Sequence, residues 1–254
     1  MNAKIRLIQL FNLLASVYAL VLIYNGINHR YIIAAGIVYV LITGIGISVT
    51  LHRLLCHRSF KTYQWIEKVL TVISIYSTVG PGISWVGLHR YHHAHADTEL
   101  DPHTPYQKTK LNFSKIFSVF TGYGWKVENI PIRYVKDLVK DPLHKWIFKN
   151  YIKILIVTIL ILALSDVKLL VIVYCLPATL GLLATGIVNS LGHSQGYRTY
   201  DTPDKSTNSW IANILSFGEG WHNNHHRYPG NWIMGEKVWE LDPSSWFIKL
   251  IRIK

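Results

Sequence analysis

Long apolar stretches constrain this chain more than any other feature of its sequence. A helix that crosses the ~30 Å hydrocarbon core of a bilayer needs about 20 mostly apolar residues. Residues 7–27, 31–51, 147–165 and 169–191 each form such a segment. Only 16% of the 254 residues are charged, against about 25% in soluble domains. We therefore predict an all-α integral membrane protein with four transmembrane helices in two hairpins.

A fifth apolar stretch, residues 69–88, is predicted not to cross the membrane. Gly80-Pro81-Gly82 interrupts it, and a proline flanked by glycines breaks helix geometry. Four crossings place both termini and the polar segments 52–146 and 192–254 on one side. The opposite loops then hold only Arg30 and Lys168 of the 26 Lys and Arg, so the polar segments should be cytoplasmic. We interpret residues 1–254 as one domain, with a cytoplasmic helical cap over the two hairpins.

The formal net charge of +12 could indicate a nucleic-acid partner. The Lys and Arg are spread over segments that flank the apolar stretches, however, so attraction to anionic membrane lipids explains the charge better. We therefore expect no nucleic-acid binding. Four lysines could in addition help to hold a phosphate-bearing substrate: Lys108, Lys110, Lys115 and Lys126.

Nine of the thirteen histidines fall into four short clusters. The clusters are HRLLCH with His52 and His57, HRYHH with His89, His92 and His93, NSLGH with His193, and HNNHH with His222, His225 and His226. Residues i, i+3 and i+4 share one face of an α-helix, so each HxxHH triplet should direct three imidazoles at a small volume. Asn189 and His193 share a face for the same reason. His52 and His57 differ in direction by about 140°, and we expect them to bind different metals unless the helix ends between them.

Metal binding is the chemistry that these clusters indicate, because nine imidazoles can give four to five nitrogens to each of two metals. Imidazole suits iron, copper, nickel and zinc alike. Structural zinc takes four ligands and usually includes cysteine, whereas this chain has only two cysteines. A redox pair of irons therefore fits the ligand number better.

Other polar residues near the clusters have less specific expectations. Asp97, Glu99 and Asp101 could bridge metals, but a solvated acidic loop is the favoured interpretation. His95 and His103 could orient the ligands or lie in a polar loop. The isolated residues His29 and His144 are expected to have no special role.

The motifs LHRLLCHRSFK, GLHRYHHAHADTELDPHTP, NSLGH and GEGWHNNHHRYPG resemble those of the membrane fatty acyl desaturases, most closely the acyl-CoA Δ9 (stearoyl-CoA type) branch. The resemblance implies two iron ions bound by the nine clustered histidines, with Asn189 contributing through a water, at the cytoplasmic mouth of a bent acyl tunnel. It also implies O2-dependent formation of a cis double bond in a saturated acyl chain. No catalytic residue beyond the metal ligands is expected.

Four aromatic residues are candidates for lining that tunnel: Tyr39, Trp85, Trp210 and Trp221. Aromatic residues near a membrane interface more often anchor a helix there, however. The sequence contains no GxGxxG, no cysteine ligand set and no HPGG haem-binding motif. We therefore expect electrons from a separate protein, which by resemblance is a cytochrome b5 type or a ferredoxin.

Three functions remain open on the sequence alone. The first is an acyl desaturase, with acyl-CoA preferred over acyl-lipid as substrate. The second is a lipid hydroxylase that uses the same irons, although its family resemblance is weaker because HRLLCH has one residue more than the HxxxH typical of hydroxylases. The third is a membrane metal transporter or metal-binding protein, which should carry polar ligands midway along its spans; here the span centres are apolar.

Overall fold

The computed structural model describes residues 3–107, 110–114 and 130–253, and within these ranges the regular secondary structure is almost entirely helical. The helices are α1 (Ala3–Tyr24), α2 (His29–Cys56), α3 (Gln64–Ile75), α4 (Gly82–His95), α5 (Pro142–Ser165), α6 (Leu169–Leu191), α7 (Trp210–Ser216), α8 (His222–Arg227) and α9 (Pro243–Ile251). Short 3-10 turns cover Ile132–Tyr134 and Leu138–Lys140. Two antiparallel strands of two residues, β1 (Tyr106–Gln107) and β2 (Lys110–Leu111), complete the secondary structure of the described ranges.

Among the residues that the structure describes, four helices are long and apolar enough to cross a membrane, namely α1, α2, α5 and α6. This confirms the predicted number of apolar helices in an all-α fold. The fifth stretch is divided between two shorter helices, since α3 ends at Ile75 and α4 begins at Gly82. Between them Gly80 has φ +118°, a conformation that glycine adopts without steric cost.

Helix α1 shows why this bundle suits an apolar surrounding. Its inward residues include polar ones, and two make buried hydrogen bonds to other parts of the chain: Gln9 Nε2 donates to Thr78 O at 2.8 Å, and Ser16 Oγ to Thr179 Oγ1 at 2.9 Å. Its outward face exposes large apolar side chains, for example Leu7 (65%) and Leu14 (62%). Such an arrangement is stable where lipid tails cover the outer face and the polar groups bond internally.

Helix α2 carries the first two clustered histidines and changes its hydrogen bonding before it reaches them. Residues 29–39 are α-helical, whereas Val40–Cys56 form wider π-helical turns. The amide of His57 donates to His52 O at 3.0 Å, which continues this i to i+5 pattern to the end of the helix. Residues five apart therefore return to nearly the same side of α2.

Two arginines fix the end of α2 to the polar segments. Arg53 is fully buried; its Nη1 donates to Trp232 O at 2.8 Å and to Asp242 Oδ2 at 2.9 Å. Arg90 of α4 donates to Leu55 O and Cys56 O, each at 2.8 Å, and so satisfies carbonyls that a helix end leaves unpaired. The end of α2 is thus held in a defined position against α4 and the C-terminal segment.

A glycine in α2 sets its distance from α3, and this can be tested. A Cβ on Gly46 would lie 3.2 Å from the Ser74 backbone, whereas a Cβ on Gly36 would meet nothing within 4 Å. We expect Gly46→Val to destabilise the protein by about 1–3 kcal/mol through overpacking, which lowers the unfolding midpoint by roughly 2–10 °C for a chain of this size. A thiol-reactive fluorogenic dye can follow unfolding, because Cys56 and Cys175 are both buried.

Gly36→Val is the matched control, since it adds the same side chain to the same helix in open space. Equal midpoints for the two variants would contradict the close contact of α2 with α3.

Candidate metal centre

The structure gathers all nine clustered histidines into two adjoining groups. Within each group, one ring nitrogen from every member lies within 4.8 Å of the others. The five-histidine group consists of His52, His57, His89, His93 and His225, and the four-histidine group of His92, His193, His222 and His226. The rings come from the end of α2, from α4, from the residue after the C-cap of α6 and from α8.

Each HxxHH triplet is divided between the two groups. On α4, His89 and His93 join the five-histidine group and His92 the four-histidine group, while on α8, His222 and His226 join the four-histidine group and His225 the other. Residues i and i+4 differ in direction by about 40° and residues i+3 and i+4 by about 100°. The prediction that each triplet serves one small volume was therefore too coarse, because α4 and α8 each contribute to both groups.

His52 and His57 lie in the same group, which is the outcome expected if the helix ends between them, and α2 does end at Cys56. Their ring centroids are 4.7 Å apart. The physical reason is the π-helical backbone of α2, which brings residues i and i+5 to one side, together with the end of the helix at Cys56.

The distances between ring nitrogens fit ligands that share a cation. His225 Nε2 lies 3.1 Å from His52 Nε2 and 3.0 Å from His93 Nε2. In the other group, His222 Nε2 lies 3.0 Å from His193 Nε2 and 3.1 Å from His226 Nε2. A ring nitrogen holds one proton or one lone pair, so it cannot complete two N–H···N hydrogen bonds.

The same distances indicate the coordination geometry. Two nitrogens each about 2.1 Å from one ion stand about 3.0 Å apart at a right angle and about 3.4 Å apart at the tetrahedral angle. The observed 3.0–3.1 Å is nearer the right-angle spacing, which is compatible with a metal that takes more than four ligands. Both groups are compatible with a transition metal.

Burial keeps five of the clustered rings neutral. It lowers the pKa of His57, His89, His93, His222 and His225 well below the usual value, and the neighbouring imidazoles add to this effect by charge repulsion. The neutral ring is the form of histidine that binds a metal. These five rings can thus bind a cation without first releasing a proton.

Carboxylates hold four of the nine rings by Nδ1. The pairs are His92 with Asp101 at 2.8 Å, His193 with Asp97 at 2.9 Å, His226 with Asp204 at 3.0 Å, and His52 with Glu219. An ionised carboxylate only accepts hydrogen bonds, so Nδ1 carries the proton and Nε2 keeps its lone pair for the group.

The expectation of a solvated acidic loop was therefore wrong for two of its residues, since the side chains of Asp101 and Asp97 are only 0% and 5% exposed. Glu99, between them, is exposed. The other two carboxylates, Asp204 and Glu219, were not identified from the sequence as partners of the histidines. The one sequence signal for Glu219 is its position three residues before His222, one turn ahead of a predicted ligand.

A cavity adjoins both groups. Apolar side chains of α2 and α6 line it, among them Ile47 and Val188, and it reaches His52, His89 and His222. Asn189 is also part of its lining. The space between two apolar helices thus opens directly onto the histidine rings.

The four candidate tunnel residues occupy different places. Trp85 lines the cavity and stacks on His89 at 4.9 Å. The other three are not among the residues that line it: Tyr39 donates to Leu215 O, Trp221 is fully buried and donates to Leu241 O, and Trp210 is half-exposed against Trp221.

Several further expectations fall near the site. His95 lies beside Tyr91 and its Nδ1 is 2.9 Å from Tyr91 O, while buried His103 lies 5.3 Å from the ring of His92. Of the four lysines proposed to hold phosphate, Lys110 is exposed. Lys108, Lys115 and Lys126 lie outside the residues that the structure describes.

Comparison with known proteins gives a consistent family match. Residues 10–231 match the sequence pattern of the family described as "Fatty acid desaturase". A relative named "sn-1 stearoyl-lipid 9-desaturase" from Anabaena variabilis is 36% identical over 223 residues, covering 85% of this chain and 79% of the relative. "Delta-9 acyl-lipid desaturase 2" from Arabidopsis thaliana is 34% identical, covering 84% and 69%. "Acyl-CoA C20 Delta5-desaturase" from Anemone leveillei is 32% identical, covering 81% and 66%.

Removal of transition metals with a chelator should lower the thermal unfolding midpoint, because buried ring nitrogens 3.0–3.1 Å apart lose the cation they share. Adding Fe²⁺ back at 100 times its dissociation constant should restore about 2.7 kcal/mol per site. The thiol-dye assay measures both effects. Mg²⁺, which prefers oxygen ligands, is the control ion; equal stabilisation by Mg²⁺, or none by Fe²⁺, would contradict a transition-metal site.

Proposed function

The chain belongs to the fatty acid desaturase family, and we propose that it uses two iron ions, held by its nine clustered histidines, to insert a cis double bond into a saturated acyl chain. The family acts on fatty acyl chains with O2 as co-substrate, so the protein is an oxidoreductase. The observation that carries the finer proposal is the pair of histidine groups at the end of a cavity between apolar helices.

Two irons fit the ligand sets better than two closed zinc sites do. The groups offer five and four imidazoles, with nitrogen spacings that suit right-angle coordination. Asn189 lines the cavity together with His222 of the four-histidine group, which supports the expectation that it completes this smaller set through a water. When bound, histidine-ligated iron supplies the O2-dependent removal of hydrogen from an unactivated methylene, for which no amino-acid side chain is strong enough.

The protein's own residues would position the substrate and exclude water. An acyl chain is flexible, so selecting one pair of carbons requires a cavity of fixed shape and depth. Ile47 and Val188 supply apolar walls, and Trp85 holds His89 by stacking while it lines the same space. The apolar lining also keeps water away from the reacting carbons.

The carrier of the acyl chain has two candidates. The relatives from Anabaena and Arabidopsis are named for lipid-linked substrates and for position 9, which favours an acyl-lipid Δ9 activity for this chain. The relative from Anemone is named for acyl-CoA and position 5, and the motifs resemble the acyl-CoA Δ9 branch. We propose the acyl-lipid activity first and acyl-CoA as the second candidate.

Electrons would come from a separate protein such as a cytochrome b5 type or a ferredoxin. We also propose that both termini and the histidine groups face the cytoplasm, where such donors occur. The placement of Arg30 and Lys168, the only basic residues in the two short loops of the predicted topology, supports this orientation.

Expression in a host that lacks its own desaturase should produce cis-unsaturated fatty acids with the double bond at position 9. Mass spectrometry with double-bond location measures this, and a pulse of labelled saturated acyl-CoA or acyl-lipid identifies the carrier that is converted first. A product that gains an oxygen atom instead of losing two hydrogens would favour the hydroxylase alternative and contradict the proposal.

Alanine in place of any one of the nine clustered histidines should reduce turnover by more than about 100-fold, beyond the usual cost of losing a residue that only orients a ligand. Iron content, measured per chain, should fall in the same variants. His29→Ala is the control, because His29 is exposed at the start of α2, far along the helix from His52. Full activity in several of the nine variants would show that the ligand assignment is wrong.

A further inference from the structure

Carboxylates are distributed unequally between the two histidine groups. In the four-histidine group, three rings pair with a carboxylate: His92 with Asp101, His193 with Asp97 and His226 with Asp204. In the five-histidine group, the ion pairs of the described residues give a carboxylate only to His52. Ring nitrogens that are buried without a hydrogen-bond partner in the described part of the chain occur in both groups: His57 Nε2 and His225 Nδ1 in the five-histidine group, and His92 Nε2 and His222 Nδ1 in the four-histidine group.

The three aspartates are built into the loops and not free to turn away. Asp97 accepts from the Lys205 amide at 2.7 Å, Asp101 accepts from the Asp97 and His103 amides at 2.8 Å each, and Asp204 accepts from the Ser206 amide at 2.8 Å. Asp97 itself has φ +59°, which is uncommon for a residue other than glycine. Backbone amides therefore hold the carboxylates in the orientation that fixes their imidazole partners.

Glu219 differs from the three aspartates because its carboxylate contacts an arginine as well as a histidine. Beside His52, it accepts hydrogen bonds from Ser48 and from the buried guanidinium of Arg53, which also pairs with Asp242. A cation this close offsets the negative charge of Glu219 at the five-histidine group. The ion pairs of the three aspartates, in contrast, are made with histidine rings.

We infer that the two metal sites are unequal: the four-histidine group binds its metal more tightly and fills first, and Asp97, Asp101 and Asp204 are the positioning residues responsible. This inference rests on the proposed function, which supplies the two metals. A carboxylate on Nδ1 fixes the ring, raises the basicity of Nε2 and adds negative charge near the cation. Three such partners outweigh the one extra neutral imidazole of the five-histidine group.

The test is an anaerobic titration of the iron-free full-length protein with ⁵⁷Fe²⁺, followed by Mössbauer spectroscopy. One equivalent should give a single quadrupole doublet, and the second equivalent should add a different doublet of equal area. Asp97→Asn, Asp101→Asn and Asp204→Asn should each weaken the first binding step by about 10- to 100-fold, the usual cost of losing such a partner. In these variants the first equivalent should then populate the second doublet.

Two further variants complete the design. Glu219→Gln should weaken only the second step, whereas Glu99→Gln, which changes an exposed acid in the same loop as Asp97, should change neither. The wild-type experiment needs no substitution, so it remains decisive if a variant fails to fold in the thiol-dye assay. Both doublets in equal area after one equivalent, or aspartate variants that weaken only the second step, would overturn the inference.

Product analysis separates this outcome from failure of the proposed function. Wild-type protein that forms the double bond but fills both sites together overturns the unequal sites alone. Wild-type protein that binds no iron and forms no product overturns the proposed function.

Discussion

Buried imidazole nitrogens that face one another at about 3 Å are the constraint on which the rest of this structure depends. His225 and His222 each approach two other rings this closely, and the available protons cannot satisfy all of these contacts. Cations shared between the rings would remove the conflict. The helix ends, the arginines at the end of α2 and the acidic loops all serve to hold the rings in this otherwise unfavourable arrangement.

The sequence predicted those features of the fold that depend on composition and on the backbone properties of glycine and proline. Bilayer thickness and the positions of charged residues predicted four long apolar helices, and Gly80-Pro81-Gly82 predicted the break between α3 and α4. The π-helical turns of α2 could not be predicted, because no residue pattern marks them. Together with the end of the helix at Cys56, which the sequence had left open, these turns bring His52 and His57 into one group.

The site was predictable in its ligand types but not in its partition. Spacing identified the nine histidines, while their division into five and four depends on how α4 and α8 pack, which is a tertiary property. The sequence favoured a solvated loop for Asp97 and Asp101, because acidic residues near basic ones are usually exposed to solvent. Their burial against His193 and His92 depends on the fold of residues far along the chain, such as Lys205.

The ligands of each group are drawn from distant parts of the chain, and this has a consequence for biosynthesis. His52 and His225, whose nitrogens are 3.1 Å apart, are separated by 173 residues. Arg53 beside them pairs with Asp242, still nearer the C-terminal end. In a growing polypeptide on the ribosome, all four long apolar helices therefore precede the residues that complete the two groups, His225 and His226. Any metal-dependent chemistry would thereby wait until the chain has been made as far as His226, and a product terminated before that residue would lack both complete ligand sets.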